Sequence, residues 1–381
     1  MNFQPLKDFL DGYLSMLGIP GSDTSIYLDH KEIFRYSAGY DNKLLKTPMR
    51  QDLIYNIYSC TKIATMVATA QLIERGEISL LDPVYAYIPE FRDVRVKVTD
   101  ERGNVVGSRP AARPMLIKHL VSMTSGLNYN VNVDSIKDAV ARTEGRAPTI
   151  EICRALAGEL LEFDPGDEFN YSLSHDVMGG VIEVATGESL EEYMRKNIFA
   201  PLGMSETSFI PDYSKRHRFA THYSFDPKTG ATIIPFEDIG FRFGSEYYGG
   251  GGGLISTVDD YVLLMDALAN GGVGKNGNRI LASATVDLMR TNILTPEQTK
   301  SLWVNHSRAG YGYGWGVRMC VDKTYSGNLA SLGEFEWDGK RLCFAMADPE
   351  RRLAVFHAEH MGEYHDIVIP RLRNLIYSCI E

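Results

Sequence analysis

Residues 58–76, "YSCTKIATMVATAQLIERG", read as one helix that is apolar nearly all round. Ile63, Met66, Val67, Ala70 and Ile73 repeat at helical spacing, and Ala64, Ala68 and Leu72 fill much of what remains. A helix with so little polar face is a buried helix, so the rest of the chain must be large and apolar enough to enclose it. With 381 residues, 44% of them hydrophobic, the chain can build that core as one large or two intermediate domains. Within this helix Lys62 is out of place. The N-terminal end of a helix carries partial positive charge, and a cation in the first turn is mildly unfavourable there. Either Lys62 snorkels to solvent, or it is desolvated so that it can accept a proton from Ser59, one turn earlier.

The second reading has a chemical basis. A serine hydroxyl is a weak nucleophile until a base takes its proton, and the familiar histidine-assisted form sits in a GxSxG elbow. No serine in this chain has glycines at that spacing. Lysine is the other base in use. Three residues apart on a helix, Ser59 and Lys62 share a face, while burial and the positive helix end both disfavour the ammonium form. The motif alone is weak, since this composition yields roughly one S-x-x-K by chance. Its placement at the head of a buried helix gives it weight.

Composition excludes other classes. A net charge of −10, with Lys and Arg scattered and no basic run, argues against a nucleic-acid partner. The N-terminus carries Lys7, Asp8 and Asp11 where a signal peptide would be apolar, and no window is long and apolar enough to span a bilayer. Five cysteines, odd in number, widely spaced and without CxxC, support neither a disulfide framework nor a structural zinc site. The expectation is a reduced, cytoplasmic protein with no membrane partner.

Along the chain, "SIYLDHKEIFRYSAGY" reads as a β-hairpin, and helical signals dominate from about 150 to 209. A further helix begins at Ser256 or Thr257. Strand patterns return in "GYGWGVRMCVD", "ASLGEFEWDGKRLCFAMAD" and "RRLAVFHAEHM", followed by a last helix. Strands at both ends with helices between them predict an α/β (α+β) fold. An antiparallel sheet is built from N- and C-terminal strands and flanked by helices, with a mainly helical domain inserted. The expected boundaries are 1–78 with 235–381 for the α/β domain, and 79–234 for the helical one.

"SCTK" at the head of an apolar helix is followed in order by "GEISLLDPVYAYIPEF", "LVSMTSGLNY", "FDPGDEFNYSLSHDVMGGVIEVATG", "IFAPLGMSETSF", "GGGGGLISTVDDYVLL" and "GYGYGWGV". This series, from about Ile26 to His360, resembles the serine β-lactamase-like hydrolases, in particular the branch holding class C β-lactamases, DD-peptidases and family VIII carboxylesterases. The resemblance implies the serine β-lactamase/DD-peptidase fold, with Ser59 as acylated nucleophile and Lys62 and Tyr171 as proton-transfer partners. In "YSL" the family tyrosine is kept as Tyr171, while Leu173 stands where asparagine is most frequent. The third motif falls on Trp337, Asp338 and Gly339. Tryptophan there is familiar among the esterases, whereas penicillin-processing members keep a cation for the substrate carboxylate, and Asp338 adds a charge that would repel an anion. By the same resemblance the backbone N–H groups of Ser59 and Lys340 form the oxyanion hole.

The favoured expectation is therefore a carboxylesterase acting on small-molecule esters of short or medium acyl chains, without a cofactor. A β-lactamase, a D-amino acid peptidase or amidase, an acyltransferase and, last, a non-catalytic binding protein are the alternatives. Leu173, Trp337, Asp338, Gly339, Tyr248 and His360 are the expected substrate-binding positions, and a homodimer stays open. Gly249–Gly253 lacks the Lys-Ser or Lys-Thr of a nucleotide loop. His357 and His360 point to opposite faces if "RRLAVF" continues as a strand, which disfavours a shared metal. Cys60 has no nearby histidine in sequence and projects about 100° from Ser59 on a helix, so it is not expected to be the nucleophile.

Overall fold

The computed structural model describes residues 1–226, 228, 230–237, 241–304 and 308–381. Its centre is an antiparallel sheet of eight strands. In chain order these are β1 (Gly21–Leu28), β2 (Lys31–Asn42), β3 (Thr47–Pro48), β4 (Tyr311–Tyr313), β5 (Arg318–Cys320), β6 (Phe335–Gly339), β7 (Cys343–Asp348) and β8 (Leu353–Ala358). They lie side by side in the order β4-β5-β6-β7-β8-β1-β2-β3, so the two ends of the chain meet where β8 pairs with β1. The hairpin expected around His30 is β1–β2. Asp29 and His30 fill its two-residue turn with φ of 49° and 67°, the left-handed pair that matches strand twist.

Period-two alternation assigns the two faces. Ile26, Phe34, Phe344, Met346, Leu353 and Val355 pack with the N-terminal helical segment, through Leu6, Phe9, Leu10 and Leu14, and with the C-terminal helix α4 (His365–Ile380). The intervening residues, among them Tyr27, Ala345, Ala347, Ala354 and Phe356, face a larger core shared with α1 (Thr61–Glu74), α2 (Ser174–Thr186) and α3 (Val258–Ala269). In α1 every residue from Thr61 to Leu72 is buried, as its apolar circumference requires. The expected single helix from Tyr58 differs at its start: Tyr58–Cys60 form a 3₁₀ turn, and the α-helix begins at Thr61.

The stretch between α1 and α3 is not purely helical. It carries a hairpin of Arg95–Thr99 with Val105–Pro110, and another of His222–Asp226 with Gly230–Ile234. Among the described residues no helix is long and apolar enough to cross a membrane.

Candidate active site

Ser59 lies in the 3₁₀ turn where the short strand Tyr55–Asn56 feeds into α1. The preceding Tyr58 has φ of 46°, a left-handed conformation unusual for a bulky residue and characteristic of functional turns. Lys62, one turn on, does not snorkel: it has no exposed surface. Three oxygens lie within hydrogen-bond reach of Lys62 Nζ. They are Ser59 Oγ at 3.3 Å, the Tyr129 hydroxyl at 3.3 Å and the Gly251 carbonyl at 2.5 Å. The glycine run is thus a wall of this site. A Cβ on Gly251 would meet Asp176 Oδ2 at 2.2 Å, so only glycine lets the loop approach.

Tyr171 arrives from the loop before α2, and its hydroxyl donates to Ser59 Oγ at 2.6 Å. The serine oxygen therefore has Lys62 and Tyr171 both within hydrogen-bond reach. Tyr129, from "SGLNY", completes the group: its ring stacks on Tyr171 at 5.2 Å, and Lys62 Nζ lies 4.7 Å from the Tyr171 ring centre. Burial, then Tyr171 and Asp176, push the Tyr129 phenol well above its ordinary value. Buried Asp176 accepts from the Tyr247 hydroxyl at 2.7 Å and the Gly251 amide at 3.2 Å, so the Gly251 peptide bridges Asp176 and Lys62. Sequence reasoning missed Tyr129, Asp176 and Gly251 as parts of the site. Each owes its place to contacts across the fold rather than to local spacing.

The opposite wall is β6. Trp337 is 2% exposed, with its ring 5.4 Å from Tyr171 and 5.5 Å, edge-on, from Tyr313. At Gly339 a Cβ would meet the Ile57 carbonyl at 2.3 Å, so this strand end runs directly against the backbone leading to Ser59. Asp338 corrects the charge argument drawn from sequence. It is ion-paired with Arg318, and although burial opposes it, Arg318, His365 and Arg308 hold its carboxyl below the ordinary range. Arg318 also lies 4.6 Å from the Trp337 ring. Beyond Asp338 a cavity of about 350 Å³ is lined by Arg308, Arg318, Lys340 and His365, among others. Glu336, Asp338 and Asp366 share that lining, and Glu336 and Asp338 are paired with Arg318.

Three expected substrate-binding residues lie elsewhere. Leu173 is 2% exposed and belongs to the large core. Tyr248 packs on Phe209 and lines a separate surface cavity with Thr149 and Glu183. His360 is 1% exposed, wedged between the Tyr55 and His222 rings at 4.6 and 4.2 Å, so burial keeps it from any open cleft. His357 points away from it, bonded to Thr24 and Glu359. Cys60 is fully buried, and burial first, then Cys343 and nearby carboxylates, push its thiol well up, which makes it a poor nucleophile.

The family model described as Beta-lactamase matches residues 6–358. Protein Rv1367c of Mycobacterium tuberculosis is 30% identical over 352 residues, covering 89% of this chain and 85% of that one. Esterase EstB of Burkholderia gladioli is 28% identical over 340 residues, 83% of this chain and 79% of its own. Among solved structures, EstCE1, described as a hydrolase with promiscuous acyltransferase activity, superposes with a TM-score of 0.76 at 24% identity, covering 97% of this chain and 96% of that one.

Proposed function

The chain belongs to the Beta-lactamase family, and from that premise we propose that it is a serine esterase that forms an acyl-enzyme on Ser59. One observation carries the reading: a single serine oxygen lies within hydrogen-bond reach of both Lys62 Nζ and the Tyr171 hydroxyl. Ser59 Oγ attacks the ester carbonyl carbon while its proton passes to the Lys62–Tyr171 pair. The tetrahedral oxyanion is held by the backbone N–H groups of Ser59 and Lys340, a hole in which each donor contributes about 2.7–4 kcal/mol. When the C–O bond breaks, Tyr171 returns the proton to the leaving alcohol. Water then repeats the sequence against the acyl-enzyme, and an alcohol in its place gives acyl transfer. Both groups reach the same oxygen, so neither residue alone is named the base.

Carboxylic esters of short or medium acyl chains are the favoured substrates. Tyr129 and Tyr171 put aromatic surface beside the serine, Trp337 packs on Tyr171, and Phe241 adds an edge 5.7 Å from Tyr129. This suits an apolar group. The second reading is lactam or D-amino acid amide chemistry, and one feature favours it. Among the described residues Arg308 has no carboxylate within ion-pair distance, and its Nε is buried without a partner. It supplies, from a different part of the chain, a cation near the position where Trp337 has replaced one.

Steady-state hydrolysis of p-nitrophenyl butyrate and nitrocefin by wild type and Ser59→Ala tests the proposal. Ester turnover lost in the variant, with little nitrocefin cleavage, is the expected result. Ester turnover that survives Ser59→Ala overturns the acyl-enzyme. Nitrocefin as the faster substrate moves the protein to the second reading.

A further inference from the structure

The two arms proposed above to carry the oxyanion donors are both in uncomfortable backbone conformations. On one arm Tyr58, immediately before Ser59, has φ of 46°. On the other, Lys340 and Arg341 begin the tight connection from β6 to β7, which closes with the Leu342 amide bonded to the Gly339 carbonyl at 2.8 Å. Leu342, fully buried, takes φ of 54° at the place where such three-residue hairpin loops ordinarily put glycine. Left-handed conformations of bulky residues persist only where the surroundings over-determine them. The two arms are joined by thiol contacts of Cys60 and Cys343 and, nearest the proposed donors, by a charged hydrogen bond: Arg341 Nε donates to the Tyr58 hydroxyl at 2.9 Å. Arg341 directly follows Lys340, and Tyr58 directly precedes Ser59. Each partner is thus one residue from a proposed oxyanion donor.

We propose that Arg341 and Tyr58 are positioning residues, a clasp that fixes the distance between the Ser59 and Lys340 backbone N–H groups. Neither side chain touches the reacting atoms; the clasp acts by holding the hole preformed. A hole that must assemble during the reaction loses the advantage of fixed dipoles. The clasp is itself anchored. Tyr58 is 1% exposed, and a second guanidinium nitrogen of Arg341 donates to the Tyr223 carbonyl in the hairpin that follows His222. On the far side of Ser59, the Tyr261 hydroxyl donates to the Cys60 carbonyl at 2.5 Å, so the residues flanking the serine on both sides are tied to the scaffold. Gly339 is the other half of the arrangement, since its missing Cβ lets the arms come close enough for the clasp to span them.

The inference rests on the proposed acyl-enzyme reading, and its test separates the two. Tyr58→Phe removes only the phenolic oxygen. It is expected to lower kcat on p-nitrophenyl butyrate about tenfold, the size of one hydrogen bond to a charged group, with KM changed less than twofold. The inhibition constant of butylboronic acid, whose tetrahedral adduct places an oxygen in the hole, rises by the same factor. Arg341→Met gives the same loss, the double variant loses no more than either single one, and Arg341→Lys restores part of it. Independent losses that add in the double variant, or a change in KM alone, overturn the clasp. Should Arg341→Met fail to fold, Tyr58→Phe carries the test. Amide hydrogen exchange gives a readout free of the chemistry. Protection of 57–60 and of 339–342 falls together in Tyr58→Phe if the clasp exists, and unchanged exchange in both segments refutes it. Activity surviving in Ser59→Ala overturns the acyl-enzyme reading instead, and leaves the exchange result to decide the clasp.

Discussion

Lys62 and Tyr129 differ in what their removal takes from Ser59. Lys62→Ala deletes one of the two proposed proton-transfer groups at the serine, and positioned acid–base groups contribute about 10²–10⁴-fold. A loss of that size in kcat/KM on p-nitrophenyl butyrate is expected; retention of activity would remove Lys62 from the mechanism. Tyr129→Phe keeps the ring stacked on Tyr171 and deletes only the acceptor 3.3 Å from Lys62 Nζ. About tenfold is expected there, as for one hydrogen bond to a charged partner. Leu173 provides the contrast. It is buried in the core, so Leu173→Asn is expected to lower unfolding stability by about 2–5 kcal/mol, measured by urea titration, with kcat of the folded fraction nearly unchanged. A change of substrate preference without loss of stability would return Leu173 to the substrate pocket.

At the scale of the element, α2 holds a group whose protonation is tied to folding. His175 is completely buried beside α1, and burial first, then the charge of Lys62, lowers its imidazole to about 3 from an ordinary 6.5. The folded state keeps it neutral while the unfolded chain takes up a proton below pH 6.5. Its contribution is thus fully present above that value and is lost as pH falls toward 3. Comparing wild type with His175→Asn removes the background of other titrating groups. The difference in unfolding free energy is expected to shift against wild type by about 2 kcal/mol between pH 7.5 and pH 5. A difference constant with pH would mean that His175 is solvated or already charged. Elements like α1 and α2 were legible in the sequence because their apolar periodicity is local, and Ser59–Lys62 because one helical turn joins them. Tyr171 was legible only through the order of family motifs. Tyr129, Asp176, Gly251 and Arg341 were not, because each reaches the site through a loop whose direction depends on the whole fold. The charge reading of Asp338 failed for the same reason: its partner Arg318 comes from a neighbouring strand, 20 residues earlier.

For the whole molecule, the question is whether the sheet and the region between α1 and α3 are separate folding units. The chain suggests two domains, and the site lies between Trp337 on the sheet and Tyr171 on the intervening region. Their apolar interiors, however, are continuous. One cluster of buried residues joins Ala345 and Phe356 of the sheet to Ile63 and Val67 of α1 and to Val177, Val181 and Leu190 beyond. Neither part can unfold without exposing the wall of the other, since α1 is apolar on every side and is covered by both. A single cooperative transition is therefore expected. The chain carries its own reporter. All three tryptophans, Trp303, Trp315 and Trp337, lie outside 79–234, so fluorescence reads the sheet side while far-UV circular dichroism is weighted toward helices. Urea midpoints from the two signals are expected to coincide. A dichroism change that precedes or follows the fluorescence change would show that the helical region holds a core of its own. In that case the contact of Tyr171 with Trp337 would be a docking between domains, and Ser59 would be able to lose its tyrosine without the protein unfolding.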